Sequence, residues 1–410
     1  MFHSRKRIAV LLIGFVISGL ALFYFFSRLQ GHWGEVLLAF MGADYRWLIP
    51  GVGFLGLLYA FRVLRWRVFL NRVGLIRYSS IASATCIGFM ANCILPARVG
   101  ELIRPYVLYR KENLSFGHAL ASSAGLERVF DLMTLGILTL ITWGMLSARI
   151  ANPEATQTGT ERTAETTAEM RGSGAADETE SEGPDGDDLL YRIWQGGMIF
   201  AVLAGIGVAI LSGVALFPDR FYRLGAFFLR FFPASWQEHL EEFLRSLTEA
   251  MGFLRNLRGV SLAFIYSMGV WFSLAASTYA IGRALDLDLG LAGSCLAVIA
   301  VAAAVAVPQG PAFVGPFQAA AWAVARAMTG TGGPTTKPFT ITSVLLVLFG
   351  GIALVGRAGG VGTAGAFALL MWIVNVVPIT IVGLGFLWYE GLSLKRLTAE
   401  SQKLEEEEAL

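Results

Sequence analysis

Long apolar stretches separated by short polar segments make up most of this chain of 410 residues. A helix needs about 20 consecutive, mainly apolar residues to cross the hydrocarbon core of a bilayer. About seven stretches approach that length, which predicts an all-α polytopic membrane protein. The predicted transmembrane helices are Ile8–Phe26, Trp47–Leu70, His118–Leu146, Ile193–Phe217, Val260–Ile281, Phe339–Val355 and Ala364–Trp388.

Two further apolar segments, 79–112 and 291–328, are each interrupted by proline and glycine. These residues do not continue a helix, and irregular backbone at membrane depth is tolerated only where it lines a cavity enclosed by protein. We therefore predict two re-entrant hairpins. Their predicted turn residues are Pro96, Gly100, Pro308, Gly310, Pro311, Gly315, Pro316 and Gln318.

The order helix, helix, broken hairpin, helix occurs once in each half of the chain, with opposed predicted orientation. Paired broken segments in corresponding positions indicate an inverted-repeat transporter with its site between the breaks. We assign the first repeat to residues 1–150 and the second to 189–390. The segment 151–188 between them carries eleven acids and two arginines, which predicts a disordered acidic loop.

The distribution of charge along the loops predicts the orientation. Basic residues at positions 5–7 precede the first helix, so we expect a cytoplasmic N-terminus in the cell inner (plasma) membrane. Arginines alternate with aromatic and leucine residues over 218–258, which predicts amphipathic helices on the cytoplasmic surface. Residues 391–410 form a polar, acidic tail, whose side depends on whether 291–328 re-enters or crosses.

Charged side chains are concentrated in and after the first broken segment, at Arg98, Glu101, Arg104, Glu127, Arg128 and Asp131. A charge at bilayer depth costs roughly 2.5 to 3.5 kcal/mol on insertion scales. These groups must therefore meet one another, water or a charged ligand. The spacing of Glu127 and Asp131 places both acids on one helix face, with Arg128 beside it.

These residues have two competing interpretations. A guanidinium presents a planar fork of donors that fits phosphate, so the first interpretation is a lipid-phosphate site. The second is a structural ion-pair network that fixes the hairpin against the next helix. Candidate phosphate ligands are Asn92, Arg98, Arg104 and Arg128, and the candidate charge network or proton relay is Glu101, Glu127 and Asp131.

The motif N-x-x-L-P-x-R-x-G-E-x-x-R at Asn92–Arg104, followed by E-R-x-x-D at Glu127–Asp131, resembles the flippase-like transmembrane family. That family is named for the membrane region of lysylphosphatidylglycerol synthase, and the resemblance extends to about Trp388. It implies movement or handling of phospholipids or polyprenyl-phosphate-linked lipids. Gln318 stands where the family usually has a glutamate. The soluble aminoacyl-transfer domain has no counterpart here, so aminoacyl-lipid synthesis is not expected.

Three functions are consistent with these features. The first is an inner-membrane lipid transporter or flippase, and the alternatives are an intramembrane transferase acting on a lipid carrier and a non-transporting scaffold or regulator. Scattered cysteines and histidines and the lack of a nucleotide-binding motif predict no metal and no cofactor. We expect membrane lipids, and no nucleic acid, as partners. The lipid, the direction and energy source of transport, and the oligomeric state stay open at this point.

Overall fold

The structure is a computed structural model that describes residues 2–70, 74, 76–112, 114–151, 257–306, 310–328 and 360–407. These ranges contain helices and turns and no strand. The helices are α1 (Phe2–Leu29), α2 (Trp33–Met41), α3 (Leu48–Leu70), α4 (Tyr78–Ile94), α5 (Gly100–Lys111), α6 (Phe116–Leu120), α7 (Glu127–Ala151), α8 (Leu257–Ala284), α9 (Gly290–Ala304), α10 (Pro316–Met328), α11 (Val361–Tyr389) and α12 (Leu394–Glu407).

Four helical stretches in the described part of the chain are long and apolar enough to cross a membrane. They are Leu12–Leu29, Tyr45–Leu70, Leu257–Ala284 and Val361–Tyr389. Each agrees with a predicted transmembrane helix, and together they support a multi-pass membrane protein. The predicted helices at 193–217 and 339–355, the acidic loop beyond residue 151 and nearly all of segment 218–258 lie outside the described residues, so the count of seven stays a prediction.

The first broken segment forms a helical hairpin. Helices α4 and α5 pack against each other, joined by a 3₁₀ turn at Pro96–Arg98. The proline has no backbone N–H with which to continue α4. The two helices approach closely where Gly100 faces α4, since a Cβ atom on this glycine would lie 2.6 Å from Oδ1 of Asn92.

The second broken segment has the same arrangement, with α9 and α10 joined by a turn at Pro311–Phe313. The turn is tied to two other helices: the amide of Gly310 donates to Oγ of Ser18 at 2.8 Å, and Nε1 of Trp372 donates to the carbonyl of Ala312 at 2.8 Å. The turns of the two hairpins contact each other. Both broken segments therefore meet inside the bundle, while their depth in a bilayer stays a prediction.

A group of hydrogen bonds joins α2 to the start of α11. Nδ1 of His32 lies 2.9 Å from Oε1 of Glu35, and the amide of Gly362 donates to Oε2 at 3.1 Å. The hydrogen bond with His32 lowers the pKa of Glu35, and the Gly362 amide and the charge of Arg326 on α10 lower it further. The last turn of α10 and the first turn of α11 thus both lie near Glu35 of α2.

The C-terminal region is helical and docks on the first hairpin, whereas the sequence predicted only a polar tail. Glu390, just after α11, accepts a hydrogen bond from Ser83 of α4 at 2.8 Å and pairs with Lys111 of α5. In α12, Glu400 accepts from the hydroxyl of Tyr106 at 2.5 Å. The prediction missed this helix because Leu397, fully buried in the structure, stands among charged residues.

We expect Leu397→Asp to detach α12 from α5. Burying a leucine contributes about 1.5 to 3 kcal/mol, and a carboxylate in its place would be desolvated without a partner. A thermal melt of the purified protein should show a lower midpoint, and protease should release the C-terminus faster. Ala399→Asp adds the same charge on the exposed side of α12 and should leave both readouts unchanged. Equal melting of the two variants would mean that docking of α12 adds nothing to stability.

Candidate functional site

Arg65 of α3 is the innermost member of a charge cluster between α3, α5 and α7. Its side chain is fully buried. Nη1 donates to Oδ1 of Asp131 at 2.5 Å and to Oγ of Ser267 on α8 at 2.9 Å, and Nη2 lies 3.8 Å from Glu127. Both acids predicted to share one face of α7 therefore face this arginine.

Arg104 of α5 forms the second buried pair. Its two terminal nitrogens donate to the two carboxylate oxygens of Glu127, at 2.5 Å and 3.0 Å, and Nη2 lies 3.3 Å from Oγ1 of Thr85. The guanidinium also stacks 3.9 Å from the ring centroid of Trp66. A bidentate pair of this kind is geometrically specific. Arg104, predicted as a phosphate ligand, is thus engaged by protein groups, and its role as a ligand stays a prediction.

The outer part of the cluster is open. Glu101 accepts a hydrogen bond from Arg128 and lies 3.6 Å from Nη1 of Arg98. The side chains of Arg98 and Arg128 are 29% and 47% exposed, against 6% for Arg104. Arg98 occupies the turn with φ of 57°, a left-handed conformation that is uncommon for a residue with a side chain. Such strain is typical of functional positions.

Several buried polar atoms in and beside the cluster have no hydrogen-bond partner, among them atoms of Arg62 in the cluster and of Asn92 beside it. Arg62, one turn before Arg65 on α3, lies over the ring of Phe89 at 4.5 Å, and its Nε is buried without a hydrogen-bond partner. Oδ1 of Asn92 is likewise buried and unpartnered. Leaving buried polar groups unpaired is costly. These atoms therefore mark a place where a polar ligand would be stabilised.

The cluster carries an excess of positive charge. In the described part of the chain it has five guanidinium groups, on Arg62, Arg65, Arg98, Arg104 and Arg128, and three carboxylates, on Glu101, Glu127 and Asp131. Each carboxylate lies within ion-pair distance of an arginine. Arginine does not lose its proton in proteins. Among the described residues the arginines of the cluster therefore outnumber its carboxylates by two, and an anion would balance them.

The six charged residues singled out in the sequence all belong to this cluster, and Asn92 lies beside it. Sequence reasoning missed the contribution of α3. Arg62 and Arg65 were not among the candidate residues, because arginines near the cytoplasmic end of a transmembrane helix are already expected from the bias of basic residues toward that side. The missed signal was their position inside the apolar run, three residues apart and therefore on one helix face.

The predicted residues of the second hairpin form its turn and not the charge cluster. Gly315 has φ of 101°, and its amide donates to Oε1 of Gln318 at 2.7 Å. Gln318 is buried, so this side chain closes its own turn. Pro316 begins α10, and Pro308 lies outside the described residues. No three metal-binding side chains come together in the ranges that the structure describes.

A family model described as the lysylphosphatidylglycerol synthase TM region matches residues 11–159 and 188–342. The matched segments contain both hairpins and every residue of the charge cluster. The gap between them falls within the predicted acidic loop. The match ends before Trp388, to which the sequence resemblance was expected to extend.

A shorter similarity links the chain to a curated protein, "Glycosyltransferase AglD" from Haloferax volcanii. The two are 33% identical over 86 residues, which cover 20% of this chain and 14% of that protein. The chain therefore aligns with only a small part of that relative. No solved structure matches the chain.

Proposed function

Because the chain belongs to the lysylphosphatidylglycerol synthase transmembrane-region family, we propose that it moves a phosphate-bearing lipid across the cell inner membrane. The lipid is a phospholipid or a polyprenyl-phosphate-linked lipid. In this proposal the N-terminus of the protein lies in the cytoplasm, and the two helical hairpins re-enter the membrane from opposite sides. The phosphate binds among the arginines near the first turn, and the acyl or prenyl chains extend between helices into the bilayer.

The observation that carries this proposal is the excess of two guanidinium groups in the charge cluster. A network with a purely structural role stabilises the fold most when its positive and negative charges balance, since an unpaired charge in a low dielectric is costly. Arg98 is the most loosely held arginine of the network. Its Nη1 lies 3.6 Å from Oε1 of Glu101, and the same oxygen accepts a hydrogen bond from Arg128. A phosphate oxygen can therefore pair with Arg98 while Glu101 keeps Arg128, and no buried pair has to break.

A second candidate function is a transferase acting on a lipid carrier. The similarity to a glycosyltransferase over 86 residues favours it. A transferase needs a general base as well as a lipid-phosphate site. Both Glu127 and Asp131 accept hydrogen bonds from buried arginines, so neither carboxylate can take a proton from a substrate without giving up an ion pair. We therefore place transport first.

Lipid movement in proteoliposomes tests the proposal. Wild type should move acyl-labelled phosphatidylglycerol, phosphatidic acid or a labelled isoprenyl phosphate between leaflets, measured by reduction of the label from outside. Arg98→Gln should slow this movement by about tenfold, because a charge-assisted hydrogen bond to the phosphate is lost. Arg46→Gln removes the same charge from an exposed position before α3 and should move lipid like wild type.

Two outcomes would contradict transport. Wild type that moves none of the three lipids would remove the proposal. Release of a nucleoside phosphate from a nucleotide sugar, dependent on an added isoprenyl phosphate, would establish the transferase instead. Size-exclusion profiles of each variant show whether a slow variant is still folded.

A further inference from the structure

We propose that the lipid phosphate bound at this site is a monoester carrying two negative charges, and that Arg62 helps to hold it. This inference rests on the proposed function and specifies its substrate class. It concerns a residue of α3 that the sequence motifs do not include.

Arg62 is placed as a ligand-binding residue would be. Among the described residues no carboxylate lies within ion-pair distance of it, and its guanidinium lies 4.5 Å from the centroid of the Phe89 ring. Asp131 and Glu127 act on its charge only from a greater distance. Cation–π contact holds the position of a guanidinium without neutralising it. Its Nε is buried without a hydrogen-bond partner, as are the Nε atoms of Arg65, Arg98 and Arg104, but those three arginines also have a carboxylate within ion-pair distance. The donors of Arg62 are thus positioned by an aromatic ring and remain available to an anion.

Arg62 and Arg98 lie against neighbouring parts of α4. Phe89, under Arg62, and Asn92 are three residues apart and so lie on one helix face, about 4.5 Å apart along the axis. Asn92 in turn touches Gly100, which follows Arg98 by two residues. The turn of α4 that lies under Arg62 therefore adjoins the start of α5, two residues after Arg98.

The charge of the cluster selects among phosphate lipids. A phosphate monoester carries about −1.5 to −2 near pH 7, whereas a phosphodiester headgroup carries a single phosphate charge. A monoester therefore neutralises both excess guanidinium groups, and a diester leaves one uncompensated in a low dielectric. Polyprenyl phosphates and phosphatidic acid share this monoester chemistry, so the binding measurement must distinguish the two sources.

Binding to the full-length protein in nanodiscs of phosphatidylcholine tests the charge argument. The probe is radiolabelled dioctanoyl phosphatidic acid, and the matched competitor is dioctanoyl phosphatidylmethanol, which has the same chains and one charge fewer. We expect the monoester to bind about tenfold more tightly or better, because one charge-assisted contact is lost in the methyl ester. Farnesyl phosphate as competitor reports whether a prenyl chain is preferred to a glycerol backbone.

Variants of Arg62 test its role. Arg62→Gln should weaken binding of phosphatidic acid by about tenfold and abolish its advantage over phosphatidylmethanol. Arg62→Lys keeps the charge and should keep most of that advantage, which a merely structural role would not require. Arg46→Gln, outside the cluster, should bind like wild type. Thermal melts identify any variant that is unfolded, in which case the lysine variant carries the test.

The outcomes separate this inference from the proposed function. Equal affinity for the monoester and its methyl ester, or an unchanged preference in Arg62→Gln, would overturn the inference while lipid transport stands. Binding of neither phosphatidic acid nor farnesyl phosphate, together with movement of phosphatidylglycerol in proteoliposomes, would also overturn it and leave transport intact. Failure of wild type to bind or move any of these lipids would overturn both.

Discussion

Glu127→Gln is expected to destabilise the protein by about 3 to 5 kcal/mol, the cost of breaking a buried ion pair by removing one partner. Glu127 accepts both hydrogen bonds of Arg104 and lies 3.8 Å from Arg65. The amide cannot neutralise either arginine, so the excess of positive charge in the cluster rises from two to three. A thermal melt in detergent should show a much lower midpoint, with little protein surviving extraction.

The matched control is Arg396→Gln. Arg396 is 72% exposed and pairs at 3.4 Å with Glu400, one turn later in α12, and such exposed pairs contribute about 0 to 1 kcal/mol. Its loss should leave the melting midpoint nearly unchanged. If the two variants melt alike, the buried network does not hold the first hairpin against α7.

The double variant Arg104→Met, Glu127→Leu separates structural from ligand-binding roles. Replacing both members of a buried pair by apolar residues is often neutral or stabilising, so we expect it to recover most of the stability lost in Glu127→Gln. The double change also leaves the excess of two charges intact. Phosphatidic acid should therefore still bind. A stable double variant that no longer binds it would assign Arg104 to the ligand, as the sequence motif first suggested.

From the sequence, pairing between the charges of α5 and α7 was one of two interpretations, because a charge in an apolar run must meet another charge, water or a ligand. The sequence did not identify Arg65 as the partner of Asp131. The bias of basic residues toward cytoplasmic ends provides an alternative explanation for every arginine near the end of α3. Yet Arg62 and Arg65 precede Leu70, the last residue of α3, by about 12 and 7.5 Å along the helix axis. At that depth an arginine needs a partner inside the protein, and the bias of basic residues toward the cytoplasmic side is not a sufficient explanation for it.

The broken segments were also predictable, but the backbone that makes the turns was not. Proline and glycine marked both positions, and glycine is the residue expected where φ is positive. In the structure Arg98, Ala312 and Phe313 take positive φ, while Gly310 has φ of −67°. Contacts of each turn with other helices decide these conformations, and local propensity contains no information about those contacts.

Gly100→Ala is the second change for which we expect a large effect. Gly100 begins α5 and faces the backbone carbonyl of Gly88, and an added methyl would lie 2.6 Å from Oδ1 of Asn92. A helix backbone cannot yield as a flexible side chain can, so α5 would move away from α4 and carry Arg104 with it. Overpacking of this kind costs about 1 to 3 kcal/mol, and occasionally more.

The measurement is a thermal melt together with binding of phosphatidic acid, and both should fall in Gly100→Ala. Gly56→Ala in α3 is the matched control, because an added methyl there meets no atom within 4 Å and alanine favours a helix by about 1 kcal/mol. It should melt at or above the wild-type midpoint and bind normally. A Gly100→Ala variant that matches Gly56→Ala in both readouts would show that the two arms of the hairpin are not held in close contact, and that the position of Arg104 does not depend on it.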